Sequence, residues 1–332
     1  MTRRSWRGAV FAIAAGLASA ALPSGGRAQD LPVLVFPVDC ELGDTCFLQN
    51  LVDRDPGPAH RDFTCGVASY DGHKGTDIRL RGWAEIENGV AVRAAAPGRV
   101  RSVRDGMPDR RLGEMPDVTD RECGNGVILD HADGWSTQYC HLRQGSVLVE
   151  PGDLVRTGQT LGDVGLSGQT EFPHLHLTLR RGDTIFDPFT GMAMDTPCGI
   201  HDAIQPMWDV MLTGALGAIM QTGFADHLPS FATIRVAPPA PNPSRSAPAI
   251  LFWMHLINLR EGDTLRLRIM APDGSMLVAD ETIMDRNRAA QFRAAGRRLT
   301  QAGWAAGEWL GLAELWRNGR LIDRTEQRMT VR

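Results

Sequence analysis

Three separated segments hold histidines in company that could do chemistry. They are Gly72-His73-Lys74-Gly75-Thr76-Asp77, Tyr139-Cys140-His141-Leu142 and Pro173-His174-Leu175-His176-Leu177. His73 and Asp77, four residues apart, make a partial zinc donor set, because zinc accepts imidazole nitrogen and carboxylate oxygen. Gly75 between them disfavours a helix and permits close backbone approach. Residues two apart on a strand share a face, so His174 and His176 would point together into a site while Leu175 and Leu177 face the core. Each signal alone has a plainer reading. The first could be a turn with a surface ion pair, the third two polar residues on the wet face of an edge strand. One more histidine beside His73 and Asp77 gives three protein ligands and leaves a fourth position for water, the pattern of catalytic rather than structural zinc.

Such side chains need elements to position them. Short β runs separated by glycine turns are predicted at 90–94, 98–103, 127–130, 136–139, 161–164 and 175–179, with an entry strand at 31–38. The polar stretch 104–121, with Pro108 and Pro116, reads as a surface loop, and 53–61 as another. Ile204, Met207, Trp208, Met211, Leu212 and Leu216 recur at helical spacing and predict a helix over 202–224. The proline-rich break at 238–243 is stiff and extended. Beyond it, strand-like runs at 250–256, 264–270, 276–283 and 307–316 alternate with the turn signals Pro272-Asp273-Gly274 and Asn318-Gly319. They predict an immunoglobulin-like β-sandwich.

The 332 residues allow two domains, and 43% apolar with 22% charged residues is a globular profile. Thirty-five basic residues against 39 acids argue against nucleic acid as a partner. Aromatics at 6% argue against a large aromatic-lined platform. Arg3, Arg4 and Arg7, an apolar run from Gly8 to Leu22 and small residues at Ala20 and Ala28 read as a signal peptide over 1–28. The run is short for a membrane span. Cleavage after Ala28 removes four arginines and takes the formal charge from −4 to −8. Six cysteines in an exported chain suggest disulfides. Of the 15 pairings they allow, Cys123–Cys140 is favoured, because a hairpin across 126–139 would set the two opposite each other. No Cys-x-x-Cys spacing supports a metal cluster instead.

Together the three histidine motifs resemble the lysostaphin/LytM-type zinc metallopeptidases, peptidoglycan endopeptidases built on a duplicated-hybrid-motif β fold. The glycine-rich connections resemble that family too: Gly124-Asn125-Gly126-Val127, residues 149–155, Gly158-Gln159-Thr160-Leu161-Gly162 and Gly165-Leu166-Ser167-Gly168. The resemblance covers roughly 65–190. It implies that His73, Asp77 and His176 bind Zn2+ and that His141 and His174 lie beside the water as catalytic groups, either one the base. It implies a β catalytic domain; with the helix and strand patterns above, the chain reads as all-β, with a LytM-like catalytic domain over 29–200, a helical linker over 201–228 and a β-sandwich of unknown role over 229–332. Tyr139 could hydrogen-bond near the substrate or be a core tyrosine. Departures from the family are Phe172 where a glycine usually stands, Thr178 where an acidic residue often stands, and the long 104–121 loop.

The function implied is an exported endopeptidase, periplasmic or secreted, acting on peptide cross-links of peptidoglycan. The alternative is a non-catalytic LytM-like module that binds cell wall or activates a partner hydrolase. Members of that kind have typically lost metal ligands, and here none is lost. The C-terminal domain is open to a protein partner, and the oligomeric state is not legible.

Overall fold

The computed structural model describes Met1 and residues 32–332, apart from 115–116, 200–204, 211, 213–215, 235–241 and 301–302. The expected signal peptide, Met1 aside, and most of the proline-rich break lie outside the described residues. The first eleven strands are β1 Cys46–Asn50, β2 Thr76–Leu80, β3 Ala91–Arg93, β4 Gly98–Arg104, β5 Asn125–Asp130, β6 Trp135–Leu142, β7 Leu154–Val155, β8 Thr160–Asp163, β9 His174–Arg181, β10 Thr184–Asp187 and β11 Met192–Ala193. Nine of them join one sheet in the order β1-β2-β9-β6-β5-β4-β7, with β10 on β9 and β11 on β10, while β3 and β8 pair separately. Every pairing is antiparallel, so one face can be core and the other a site. Ile78, Tyr139, Leu175, Leu177 and Leu179 are buried on the core side.

Among the described residues seven further strands follow: β12 Ala218–Ala225, β13 Ala249–Leu259, β14 Thr264–Met270, β15 Met276–Ile283, β16 Arg288–Arg298, β17 Gly307–Arg317 and β18 Arg320–Val331. They make a three-stranded sheet, β12-β13-β16, and a four-stranded sheet, β15-β14-β17-β18. Phe252, Met254 and Leu256 from one sheet share a buried cluster with Leu265, Leu267 and Leu315 from the other. This is the two-sheet sandwich expected of the C-terminal region, and the chain is nearly all β.

The helix expected over 202–224 does not form where the residues are described. Trp208 makes a parallel bridge to Leu34, and Ala218–Ala225 is strand β12. Pro206, Gly214 and Gly217 interrupt the helical pattern. The apolar run 218–220 serves two faces instead: Ile219 joins the sandwich core, while Ala218 and Met220 pack on Phe47 of β1. The sandwich therefore begins before residue 229. The entry strand expected at 31–38 is reduced to bridges at Leu34 and Val38.

Three disulfides, Cys40–Cys46, Cys65–Cys198 and Cys123–Cys140, use all six cysteines, as in a chain from an oxidising compartment. The favoured pair is among them. No described helix is long and apolar enough to cross a membrane.

Candidate metal centre and active site

Three adjacent strands carry the site. In the ladder between β2 and β9, Asp77 lies opposite His176 and Arg79 opposite His174, and across β9 Cys140 of β6 also faces His176. Residues directly opposite in a sheet hold their Cβ atoms about 5 Å apart on one face, so this register alone brings the carboxylate to the imidazole. His73 arrives from the turn before β2. Its Nε2 lies 3.2 Å from Asp77 Oδ1 and 3.2 Å from His176 Nδ1, and His176 Nδ1 lies 2.8 Å from the same Asp77 oxygen. Ligands about 2.0–2.1 Å from a tetrahedral ion stand roughly 3.3–3.4 Å apart. Two imidazole nitrogens and one carboxylate oxygen at these spacings therefore fit zinc. Gly75 is required here: a Cβ would stand 2.6 Å from His176 Nε2 and 2.6 Å from Leu177 O.

His141 needs a device to reach the same face. Strict alternation along β6 would send it to the core side, because Gln138 and Cys140 face Thr178 and His176. The β5–β6 pairing shifts register here, from Asn125 opposite Leu142 to Val127 opposite Tyr139. His141 itself takes φ 64°, a left-handed conformation uncommon outside glycine. This bulge turns its ring toward His174, 4.5 Å away between centroids.

Outer hydrogen bonds set each ring's orientation. His73 Nδ1 donates to Leu51 O at 2.7 Å, His141 Nδ1 to Ser167 O at 2.7 Å and His174 Nδ1 to Phe172 O at 2.9 Å. Each bond leaves Nε2 as the free lone pair. His176 is held the other way, with Nε2 3.0 Å from Thr178 Oγ1 and Nδ1 facing Asp77. Asn50 Nδ2 donates to Asp77 Oδ2 at 2.7 Å. Sequence reasoning did not find Asn50, Leu51 or Ser167 as supports. Ser167 stands within one of the glycine-rich connections, whereas Asn50 carries no motif. Thr178, the departure from the acidic pattern, gives His176 a neutral partner.

Burial pushes the His141 imidazole well below its ordinary pKa, and the neighbouring His174 and His176 add to the effect. Burial also lowers His174, against the pull of Asp77. Burial works the other way on Asp77, raising it, but His73 and His174 outweigh that and hold the carboxyl well below the usual carboxylate range. His73 lies buried behind Asp77 and His176, while Asp77, His141, His174 and His176 line a cavity of about 640 Å³. Phe172 lines it where the family has glycine, and its ring lies 4.8 Å from His174 and 4.3 Å from the Arg79 guanidinium.

Other residues take structural places. Tyr139 is fully buried and accepts Ala95 N–H at 2.8 Å, so it belongs to the core, where burial pushes its hydroxyl up to about 12. Cys140 is in its disulfide and is no nucleophile. His131 bridges Pro97 O and Thr137. His255 is buried in the sandwich beside Phe231.

Residues 71–188 match the model of Peptidase family M23, a family of zinc metallopeptidases. The chain is 33% identical over 108 residues to the cell division protein DipM of Caulobacter vibrioides, covering 32% of this chain and 17% of that one. It is 42% identical over 53 residues to the peptidoglycan DD-endopeptidase ShyC of Vibrio cholerae, covering 16% and 12%. It is 36% identical over 74 residues to the DD-carboxypeptidase/endopeptidase Mpg of Neisseria meningitidis, covering 22% and 16%. The chain thus spans less than a fifth of the length of these curated relatives. Among solved structures, it is similar to a variant catalytic domain of the prophage-encoded M23 protein EnpA of Enterococcus faecalis, with 25% identity, TM-score 0.30, and coverage of 43% of this chain and 85% of that one. It is also similar to the catalytic domain of lysostaphin from Staphylococcus simulans, with 24% identity, TM-score 0.27, and coverage of 40% and 84%. Over residues 71–188, between the opening of the first histidine motif and the end of β10, the chain carries a Peptidase family M23 domain.

Proposed function

We propose that this protein is an exported zinc endopeptidase, periplasmic or secreted, that hydrolyses peptide cross-links of peptidoglycan. The observation that carries the reading is the convergence of Asp77, His141, His174 and His176 on one cleft, with His73 against Asp77 and His176. His73, Asp77 and His176 would hold the ion. Zinc, when bound, polarises a scissile carbonyl and lowers the pKa of water at its open position. The remaining steps belong to the chain. His141 and His174 face the cleft with unprotonated Nε2 atoms, because their Nδ1–H groups are engaged by backbone carbonyls. Either can take the proton of the attacking water. The imidazolium so formed hydrogen-bonds the developing oxyanion and returns its proton to the leaving amine. The two proton carriers sit side by side on the same wall, so transfer needs no large movement.

Support for the substrate class comes from the M23 domain and from relatives named as peptidoglycan endopeptidases. Purified cell wall treated with the protein should release muropeptides whose masses report a cleaved peptide bond, and a chelator should abolish that release. His176→Ala should lose both zinc and hydrolysis. Muropeptide release by a zinc-free His176→Ala protein would sink the reading. Wild-type protein that binds wall, or stimulates a second hydrolase, without releasing muropeptides would favour the non-catalytic alternative.

A further inference from the structure

Besides the apolar packing of Ala218, Met220 and Ile257 on Phe47, the C-terminal sandwich touches the sheet that carries the site through polar side chains at the register shift of β1. Asn258, near the end of β13, is 3% exposed and sits at φ 52°. Its Nδ2 donates to Leu48 O at 3.1 Å and to Gln49 O at 2.8 Å. Those carbonyls lie where β1 shifts register against β2: Leu48 faces Ile78, the next paired residue is Asn50, and it faces Asp77. Gln49 is therefore the extra residue of a bulge, and a bulge re-aims the side chains beyond it. Gln49 is held from both sides, its Nε2 donating to Ala289 O at 3.3 Å and its Oε1 accepting Arg79 Nη1 at 2.8 Å. Arg81, just past β2, bonds Met220 O of β12.

The residues immediately after the bulge orient two of the three metal-ligating groups. Asn50 donates to Asp77 at 2.7 Å. Leu51 O accepts His73 Nδ1 at 2.7 Å, and Asp53 N donates to His73 O at 2.9 Å. We propose that the C-terminal sandwich is a positioning element of the metal centre: Asn258, by capping the Gln49 bulge, sets the direction in which Asn50 and Leu51 reach Asp77 and His73. Asn258 touches neither ligand and acts through β1. The inference rests on reading His73, Asp77 and His176 as the zinc ligands. Outer hydrogen-bond partners of metal ligands are worth about 10–100-fold in affinity, and Asn258 lies one step further out, so about tenfold is expected.

The test uses the full chain. Asn258→Asp keeps the side-chain shape and tolerance of positive φ but removes the donor, and Asn258→Gly keeps the backbone and removes the side chain. Ile269→Val, in the sandwich core away from β1, serves as the control. Zinc affinity by chelator competition and the visible spectrum of the cobalt-loaded protein are measured beside thermal unfolding. Both Asn258 variants should bind zinc about tenfold more weakly with an altered cobalt spectrum, whereas Ile269→Val, at comparable loss of stability, should match wild type. Folded Asn258 variants with wild-type affinity and spectrum overturn the inference. Wild-type protein supplies a second arm that needs no variant to fold. Coupling is reciprocal, so zinc should slow amide exchange in residues 254–263 as well as in 46–54. Protection that never reaches 254–263 overturns the inference too. Muropeptide release by wild type is followed in parallel: zinc coupled to the sandwich without hydrolysis removes the enzymatic reading and leaves the positioning role standing.

Discussion

At the scale of single residues, the site works by fixing which nitrogen of each imidazole is free. Three rings give their Nδ1–H to backbone carbonyls, and His176 alone gives Nε2 to a side chain, Thr178. Thr178→Val keeps the shape and removes that partner. Zinc affinity measured by chelator competition should fall about tenfold, or about 1.4 kcal/mol, with little change in fold. The two rings outside the proposed ligand set, His141 and His174, have pKa values lowered chiefly by burial, which favours their neutral form. Protonation would remove the acceptor that takes the water's proton. A lowered pKa moves that loss to lower pH, so kcat/KM on wall peptide should stay level through pH 6.5 and decline only in more acid buffer. The same shift affects stability. Below about pH 6.5 the unfolded chain takes up protons on these imidazoles while the fold does not. The contribution of these two rings to stability should therefore fall with pH from about 6.5 until their folded-state pKa values are reached, opposed in part by His73, whose pKa is raised in the fold. Urea unfolding at pH 7.0 and 5.5 measures the difference.

At the scale of elements, the sheet does the assembling. Antiparallel register sets Asp77 against His176, and a bulge at the end of β6 brings His141 round to the same face. The Cys123–Cys140 disulfide braces that bulge, because His141 N–H donates to Cys123 O at 2.8 Å. Its loop spans 17 residues, for which chain entropy gives about 3 kcal/mol. A Cys123→Ala/Cys140→Ala chain should be less stable by about that amount in denaturant titration. Its kcat should drop more than its zinc affinity, since the metal-ligating set lies on other segments. Equal losses in both would mean that the disulfide supports the whole sheet rather than His141.

At the scale of the whole molecule, two distant stretches, 72–77 and 173–177, meet on the proposed ion site, so metal binding and folding should be coupled. The unfolded chain separates His176 from His73 and Asp77, so zinc would bind the folded form alone to a first approximation. Zinc at a thousandfold over its Kd should then add about 4 kcal/mol, seen as a Tm that rises with zinc concentration and falls on adding chelator. A buried ion pair ties the segment after β1 to the end of β10. Arg54, in the segment after β1, pairs with fully buried Asp187 at 3.1 Å and donates to Thr190 at 2.8 Å. Arg54→Met would leave Asp187 buried without its cation, which typically costs about 3–5 kcal/mol, and calorimetry should show that loss as a lower Tm.

The residues proposed to do chemistry could be picked out in the amino-acid sequence because chemistry restricts residue type. Few side chains can ligate zinc or carry a proton near neutrality, and His73, Asp77, His141, His174 and His176 stand in distinctive spacing. The strands at 98–103, 175–179, 264–270 and 276–283 were legible because alternation of apolar and polar residues is a local signal. The strands β12, β16 and β18 were not. Ala218–Ala225 is buried on both faces, and Arg288–Arg298 and Arg320–Val331 carry charge on half-exposed surfaces, so none shows clean alternation. Only the tertiary structure brought Asn50, Leu51, Ser167 and Asn258 to the site or its support. Backbone carbonyls and amide side chains exist everywhere in a chain, and which of them meets an imidazole depends on register, bulges and contacts between segments some two hundred residues apart.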